Sequence, residues 1–121
     1  MWICGEPTQI RSTDGEKWYA DGTFFSVSGL DHFAQLYIIS NKVTWNENSV
    51  TVVPKIFALL QNNAHKTYEK LLNNIESIAG TRISPSVVSC DFEMAIIKTT
   101  EKKYPEAIIQ LCRFHFYQSV R

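Results

Sequence analysis

The 121-residue sequence lacks the features that mark secreted and membrane proteins. It has three cysteines, one of them inside an apolar strand-like run, and this is not the pattern of a disulfide framework. No apolar run approaches the roughly 18 residues of a membrane span. The first residues also lack the basic region and apolar core of a signal peptide. The sequence therefore predicts a protein of a reducing compartment, either cytosolic or nuclear.

The sequence also lacks an excess of charge of either sign. Twelve acidic residues balance twelve basic residues, so there is no lysine- and arginine-rich composition of the kind that holds nucleic acid through phosphate contacts alone. Any binding of DNA must be assisted by further segments or by bound metal. Apolar residues make up 45% of the chain, which is enough to bury the core of one globular domain.

Aromatic and β-branched residues predict three strands in the first half of the chain, over 17–27, 32–40 and 50–60. The turn residues between the first two strands join them into a hairpin. A turn at Asp21-Gly22 is the competing arrangement, since Asp-Gly favours hairpins. That turn would leave a very short first strand and a second apolar run without a partner. Pro54 places the third strand at a sheet edge, because proline cannot donate a ladder hydrogen bond.

The second half of the chain alternates helices with strands. The expected elements are a helix over 68–79, a strand over 86–90, a helix over 93–103, a strand over 107–112 and the start of a helix over 115–121. Thr67 is the expected N-cap of the first helix, and Gly80 its stop. Pro105 is expected to close the second helix.

These elements predict an α/β domain with a mixed five-stranded sheet and helices on its faces. The first three strands form an antiparallel meander, and the two later strands, each reached through a helix, run parallel to the first by right-handed crossovers. In one such arrangement the strand over 86–90 lies beside the strand over 17–27. Residues 1–16 are expected to be an N-terminal extension, and residues 17–121 the domain.

Two aspartates approach each other in this arrangement. Asp21 lies within the first strand, and Asp91 follows the fourth strand, at an edge where open α/β sheets bind ligands. Neighbouring carboxylates repel each other unless a cation lies between them, and Mg²⁺ or Mn²⁺ prefers oxygen ligands. The sequence therefore predicts a divalent metal site. In the alternative, a metal-free α/β domain, Asp21 is a turn residue and Asp91 caps the next helix.

Five segments resemble, in order and spacing, the transposase domain of Mutator-like DNA transposons. They are WYADGTF, FAQLYII, PKIFALL with TYEKLL, CDFEMAI and YPEAIIQLCRFHFYQSVR. The resemblance implies a ribonuclease-H-like fold with an Asp, Asp, Glu triad that binds two divalent ions. By position, Asp21 would be the first acid and Asp91 the second. The implied activity is cleavage of DNA at transposon ends and strand transfer, in the nucleus.

The third acid of that family, a glutamate, lies beyond the position that corresponds to Arg121. The chain is therefore expected to be a truncated or degenerate copy that is inactive alone. Glu93 follows Asp91 too closely to replace the third acid, and we interpret it as an acid of the first helical turn. The alternative function is a transposon-derived module that binds DNA or protein without catalysis. Whether the chain forms a homo-oligomer stays open.

Cys112 and His115 match the CxxH pattern of the same family. A closed structural zinc site needs four ligands, so this pair is not expected to bind metal by itself. The resemblance favours a DNA-contacting or structural role for both residues.

Overall fold

A computed structural model describes residues 1–27, 32–62, 64–91 and 93–111, with the backbone alone at 24–27, 32, 33 and 45. The predictions for Cys112, His115 and the helix over 115–121 lie outside the described residues. The same holds for the residues of the predicted turn between the first two strands.

Six strands and three helices make up the described part of the chain. In chain order they are β1 (Trp2–Cys4), α1 (Pro7–Arg11), β2 (Lys17–Val27), β3 (His32–Asn46), β4 (Ser49–Leu60), α2 (His65–Ala79), β5 (Val87–Cys90), α3 (Met94–Lys103) and β6 (Ile108–Leu111). The strands form one mixed sheet in the order β1-β4-β3-β2-β5-β6. β2, β3 and β4 are the antiparallel meander, while β5 runs parallel to β2 and β6 parallel to β5. The predicted α/β fold class, a mixed sheet in which an antiparallel meander is followed by two parallel strands, is confirmed.

The sheet has six strands where the sequence predicted five, because the first residues join it. β1 pairs antiparallel with residues 57–59 of β4, and α1 contributes the fully buried Ile10 to the core. β4 is therefore an inner strand, and its predicted place at the edge is wrong. Pro54 is tolerated because it lies outside the β1 ladder and pairs with Ser40 where the β3–β4 register is irregular.

β2 passes through Asp21-Gly22 without turning. Asp21 pairs with Ile38 and Gly22 with Tyr37, and the antiparallel pairing continues to the end of β2. The chain therefore reverses after Val27, as predicted, and the competing turn at Asp21-Gly22 is excluded.

The two longer helices lie where the sequence predicted them, with one change at a terminus. Ala64, not Thr67, occupies the N-cap position of α2, and the Thr67 hydroxyl donates to the side chain of Asn62. Gly80 ends this helix with φ of 76°, a left-handed conformation that glycine adopts without strain. α3 ends before Pro105, as expected.

All three helices contribute to one core on the same side of the sheet, which we call the helix face. Its strand residues include Trp18, Ala20, Tyr37, Ile39, Ile56, Ala58, Val88 and Cys90. α2 adds Leu71, Leu72 and Ile75, each of which stabilises the fold by about 1.5–3 kcal/mol through burial. The rings of Trp18 and Tyr104 make an edge-to-face contact at 5.6 Å.

The other side of the sheet, which we call the outer face, carries the alternate residues of the same strands. They include Tyr19, Asp21, Ile38, Phe57 and Ser89, which are half-buried or exposed. None of the described helices packs on this face, because all three belong to the core of the helix face. None of them combines the length and apolarity that spanning a bilayer requires.

Candidate active site

The parallel register of β2 and β5 brings the two predicted acids to the same level of the sheet. The paired register ends at Tyr19 and Ser89, and Asp21 and Asp91 each follow two residues later in the chain. Neighbouring strands lie about 4.8 Å apart. The segments that carry these two acids are far apart in the sequence and are therefore adjacent in the tertiary structure.

The two acids differ in exposure. Asp21 is exposed on the outer face, because it follows the buried Ala20 and side chains alternate along a strand. Asp91 is half-buried and directly follows Cys90, the last residue of β5, whose side chain is buried on the helix face. The Oδ1 atom of Asp91 is buried, and the Asp91 carboxylate acts electrostatically on Tyr37 and Tyr68, which belong to the core of the helix face.

Asp91 does not cap α3. The N-cap position belongs to Glu93, whose side chain makes no capping hydrogen bond, and the Glu93 amide donates to the Asp91 carbonyl at 2.8 Å. The alternative interpretation of Asp91 as the helix N-cap is therefore wrong. Within the described ranges, no group of three or more His, Cys, Asp or Glu side chains converges as a preformed metal site. The acid pair thus offers two carboxylates.

Glu93 is bonded to the helix face. Its carboxylate oxygens lie 3.1 and 3.2 Å from the Tyr68 hydroxyl. The same hydroxyl lies 3.1 Å from Oε1 of Gln35, a side chain that is 1% exposed. Tyr68 therefore links β3 of the sheet to the segment that carries Asp91. Helical spacing alone places Tyr68 on the buried side of α2, as observed, but it cannot reveal this contact of its hydroxyl.

Gly22 belongs to the same network. A Cβ atom at this position would collide with the side-chain amide of Gln35. Asp21 therefore lies on the outer face, while the adjacent Gly22 leaves space for Gln35 on the helix face. A glycine inside a strand is a signal of such a close approach, and it was the available sequence clue to this contact.

Two buried tyrosines lie beneath the acids. Burial raises the pKa of Tyr37 well above its ordinary value, and the Asp91 and Glu93 carboxylates add to the rise. Burial also raises the pKa of Tyr68, and the Glu93 carboxylate adds to the rise. The two rings lie 5.7 Å apart. Both hydroxyls therefore stay protonated at neutral pH, and that of Tyr68 is a donor to its acceptors on Gln35 and Glu93.

A pair of lysines lies on the outer face near Asp21. The ammonium nitrogens of Lys17 and Lys42 lie 4.8 and 5.5 Å from the ring centroid of Tyr19. Burial acts to raise the pKa of Tyr19, but the two ammonium groups outweigh it and the pKa is lowered. No local sequence pattern indicates a role for these residues, since their proximity depends on the pairing of β2 with β3.

The comparisons with known proteins decide the family. A family model of the MULE transposase domain matches residues 17–119. The chain belongs to the MULE transposase domain family. The resemblance found in the five sequence segments of this MULE domain is thereby confirmed.

Comparisons of the MULE domain with curated sequences and with solved structures give less information than the family match. No curated protein sequence matches it. Among solved structures, it is similar to the HTLV-2 integrase catalytic core domain in complex with magnesium, in its trimeric form, with 13% identity and a TM-score of 0.47. The similarity covers 88% of this chain and 66% of that one, so the MULE domain spans just under two thirds of that structure's length.

Proposed function

We propose that this chain is part of a DNA transposase in which Asp21 and Asp91 are two of the acids that support metal-dependent strand cleavage and strand transfer. The observation that carries the proposal is the parallel pairing of β2, which contains Asp21, with β5, which leads directly into Asp91. Membership of the MULE family supports a transposase- or integrase-like function. The proposed partner is the DNA of transposon ends, and the proposed compartment is the nucleus.

The chemistry of the acid pair fits Mg²⁺ or Mn²⁺. Mg²⁺ is usually held in proteins by one or two carboxylates, with water and substrate phosphates as the other ligands. Asp21 and Asp91 supply that number of carboxylates on neighbouring strand positions. Asp21 is exposed, so the outer face leaves access for water and for a phosphodiester.

The residues of the chain have distinct roles in this mechanism. When bound, divalent metal stabilises the attacking and leaving oxygens of an in-line displacement at a phosphodiester. Asp21 and Asp91 would hold the metal, because the parallel ladder fixes β2 to the strand that leads into Asp91. The Tyr68 hydroxyl holds the Glu93 carboxylate on the helix face, which orients the backbone that follows Asp91. The outer face receives the DNA strand.

A thermal-shift measurement tests the acid pair. Metal at ten times its dissociation constant stabilises the folded state by about 1.4 kcal/mol, which raises the melting temperature by about 5 °C. We expect Asp21→Asn and Asp91→Asn each to abolish the rise with Mg²⁺ and Mn²⁺, because each removes a charged ligand.

The matched control is Asp14→Asn. Asp14 is exposed, and the Oδ1 that accepts from the Ser84 amide is kept in asparagine, so the same loss of charge should leave the metal response intact. A full response in both site variants would exclude this metal site. DNA binding without any metal response in the unchanged chain would favour the alternative, a module without catalysis.

A further inference from the structure

We propose that Lys17, Tyr19 and Lys42 form a binding site for a phosphate of the DNA backbone, on the outer face beside Asp21. This inference rests on the proposed function, because it takes DNA as the occupant. It adds a site for the part of the strand that flanks the bond to be cut.

The three side chains converge because of strand geometry. Lys17 and Tyr19 alternate with the buried Trp18, so they share the outer face with Asp21. Tyr19 pairs with Ser40, and two further residues along the antiparallel ladder set Lys42 across from Lys17.

The backbone of this cluster is fixed by a side-chain hydrogen bond. The Asn41 side-chain amide donates to the Lys17 carbonyl at 2.8 Å, and Asn41 is 4% exposed. The bond joins β3 to the start of β2 where the paired register ends. Lys17 and Lys42 are therefore held on neighbouring strands, with the Tyr19 ring between them.

The two positive charges of this cluster favour the binding of an anion. Like charges directly opposite each other on neighbouring strands destabilise a sheet, and the face of an aromatic ring offsets part of this repulsion. The lysines that form ion pairs in the described ranges are Lys102 and Lys103, far from this cluster. A phosphate at the Tyr19 ring would neutralise Lys17 and Lys42, and the tyrosine hydroxyl could donate to a phosphate oxygen.

The position of the cluster indicates which phosphate compound it binds. Tyr19 and Asp21 are two residues apart on one strand, about 6.6 Å. A ligand that reaches both the lysines and the acids needs two phosphate groups, one at each position. The backbone of a nucleic acid strand provides such a series of phosphates. Because the chain has no net charge, such local contacts would position the strand without a broad basic surface. Phosphate contacts fix position and do not read sequence.

Fluorescence anisotropy with a labelled DNA duplex tests the site. The titration is done in EDTA, so that metal at the acid pair does not contribute. We expect the double variant Lys17→Gln, Lys42→Gln to weaken binding about tenfold at low salt, and to lower the slope of log K against log salt by about 1 for each lysine. The variant Lys17→Arg, Lys42→Arg keeps both charges and should keep the affinity.

The matched control is Lys66→Gln, Lys98→Gln, which removes two charges from exposed positions on α2 and α3. This control should change affinity less than twofold. Equal affinity and equal salt slope in the two glutamine variants would overturn the phosphate site, and so would failure of the unchanged chain to bind the duplex.

The thermal-shift response to metal separates this inference from the proposed function. Should the lysine variant bind DNA normally while the Asp21→Asn variant loses its metal response, the phosphate site alone is overturned. Weakened DNA binding in the lysine variant supports the site even where the aspartate variants still respond to metal.

Discussion

The helix face and the outer face of the sheet are built from the same strands but differ in what their side chains contact. In β2, Trp18 and Ala20 are buried against the helices, whereas Tyr19 and Asp21 reach solvent. An unpaired charge in the core would cost several kcal/mol. The chain therefore keeps Asp21 and its lysine pair on the outer face, and it gains its packing on the helix face.

This comparison predicts that equal truncations on the two faces have unequal effects on stability. Leu71→Ala removes a fully buried side chain of α2 and should cost about 3 kcal/mol, through lost burial and the cavity left behind. Leu59→Ala removes the same atoms from a side chain that is 38% exposed on β4 and should cost about 1 kcal/mol or less. Urea unfolding followed by circular dichroism measures both.

The two leucines serve as controls for each other, because the chemical change is identical. If Leu59→Ala lowered the free energy of unfolding as much as Leu71→Ala, the outer face would be packed as tightly as the helix face. In that case the assignment of function to one face would lose its physical basis.

The next largest effect is expected where the two faces meet at Gly22. Gly22→Ala places a methyl group against the Gln35 amide, which is bonded to Tyr68, and should cost about 1–3 kcal/mol. In the double variant Gly22→Ala, Gln35→Ala the collision is gone. The loss of unfolding free energy should then be smaller than the sum of the two single losses. Strict additivity would show that Gln35 is not the obstacle.

The smallest effect concerns pH and the helix face. Burial raises the pKa of Tyr104, with the Glu76 carboxylate adding to the rise. Both states are protonated below the unfolded pKa of about 10. Above it the unfolded chain loses the proton first, so stability falls with rising pH, by at most about 1.4 kcal/mol per pH unit for this group.

Tyr104→Phe isolates this contribution. It keeps the ring contact with Trp18 and removes a buried hydroxyl that has no hydrogen-bond partner among the described residues. We expect the variant to match the unchanged chain in urea midpoint at pH 8 and to lose less stability between pH 10 and pH 11. Parallel losses in the two proteins over that range would contradict the assigned pKa direction.

Much of the fold could be predicted from local patterns. The run from Lys17 to Val27 is rich in strand-forming residues, and glycine at position 80 stops α2 as expected. The place of β1 was not predicted, because three residues carry too little periodicity to indicate a strand or its partner. The edge position inferred from Pro54 failed for the same reason, since the partner of β4 is supplied by the distant β1.

In the candidate site, too, some features could be predicted from the sequence and others could not. The acids Asp21 and Asp91 stood out in the sequence because carboxylates beside apolar strands need a physical reason. The contacts of Tyr68 with Gln35 and Glu93 could not be predicted, because helical spacing shows only that Tyr68 faces the core. The approach of two lysines to Tyr19 depends in turn on a cross-strand register that no local pattern encodes.

By itself the sequence determined which segments form strands and helices, and which residues offer carboxylates, because periodicity and residue chemistry are local properties. The tertiary structure alone decided that β5, which leads into Asp91, pairs in parallel with β2, which contains Asp21. That pairing is set by how α2 and the intervening strands pack across the whole domain.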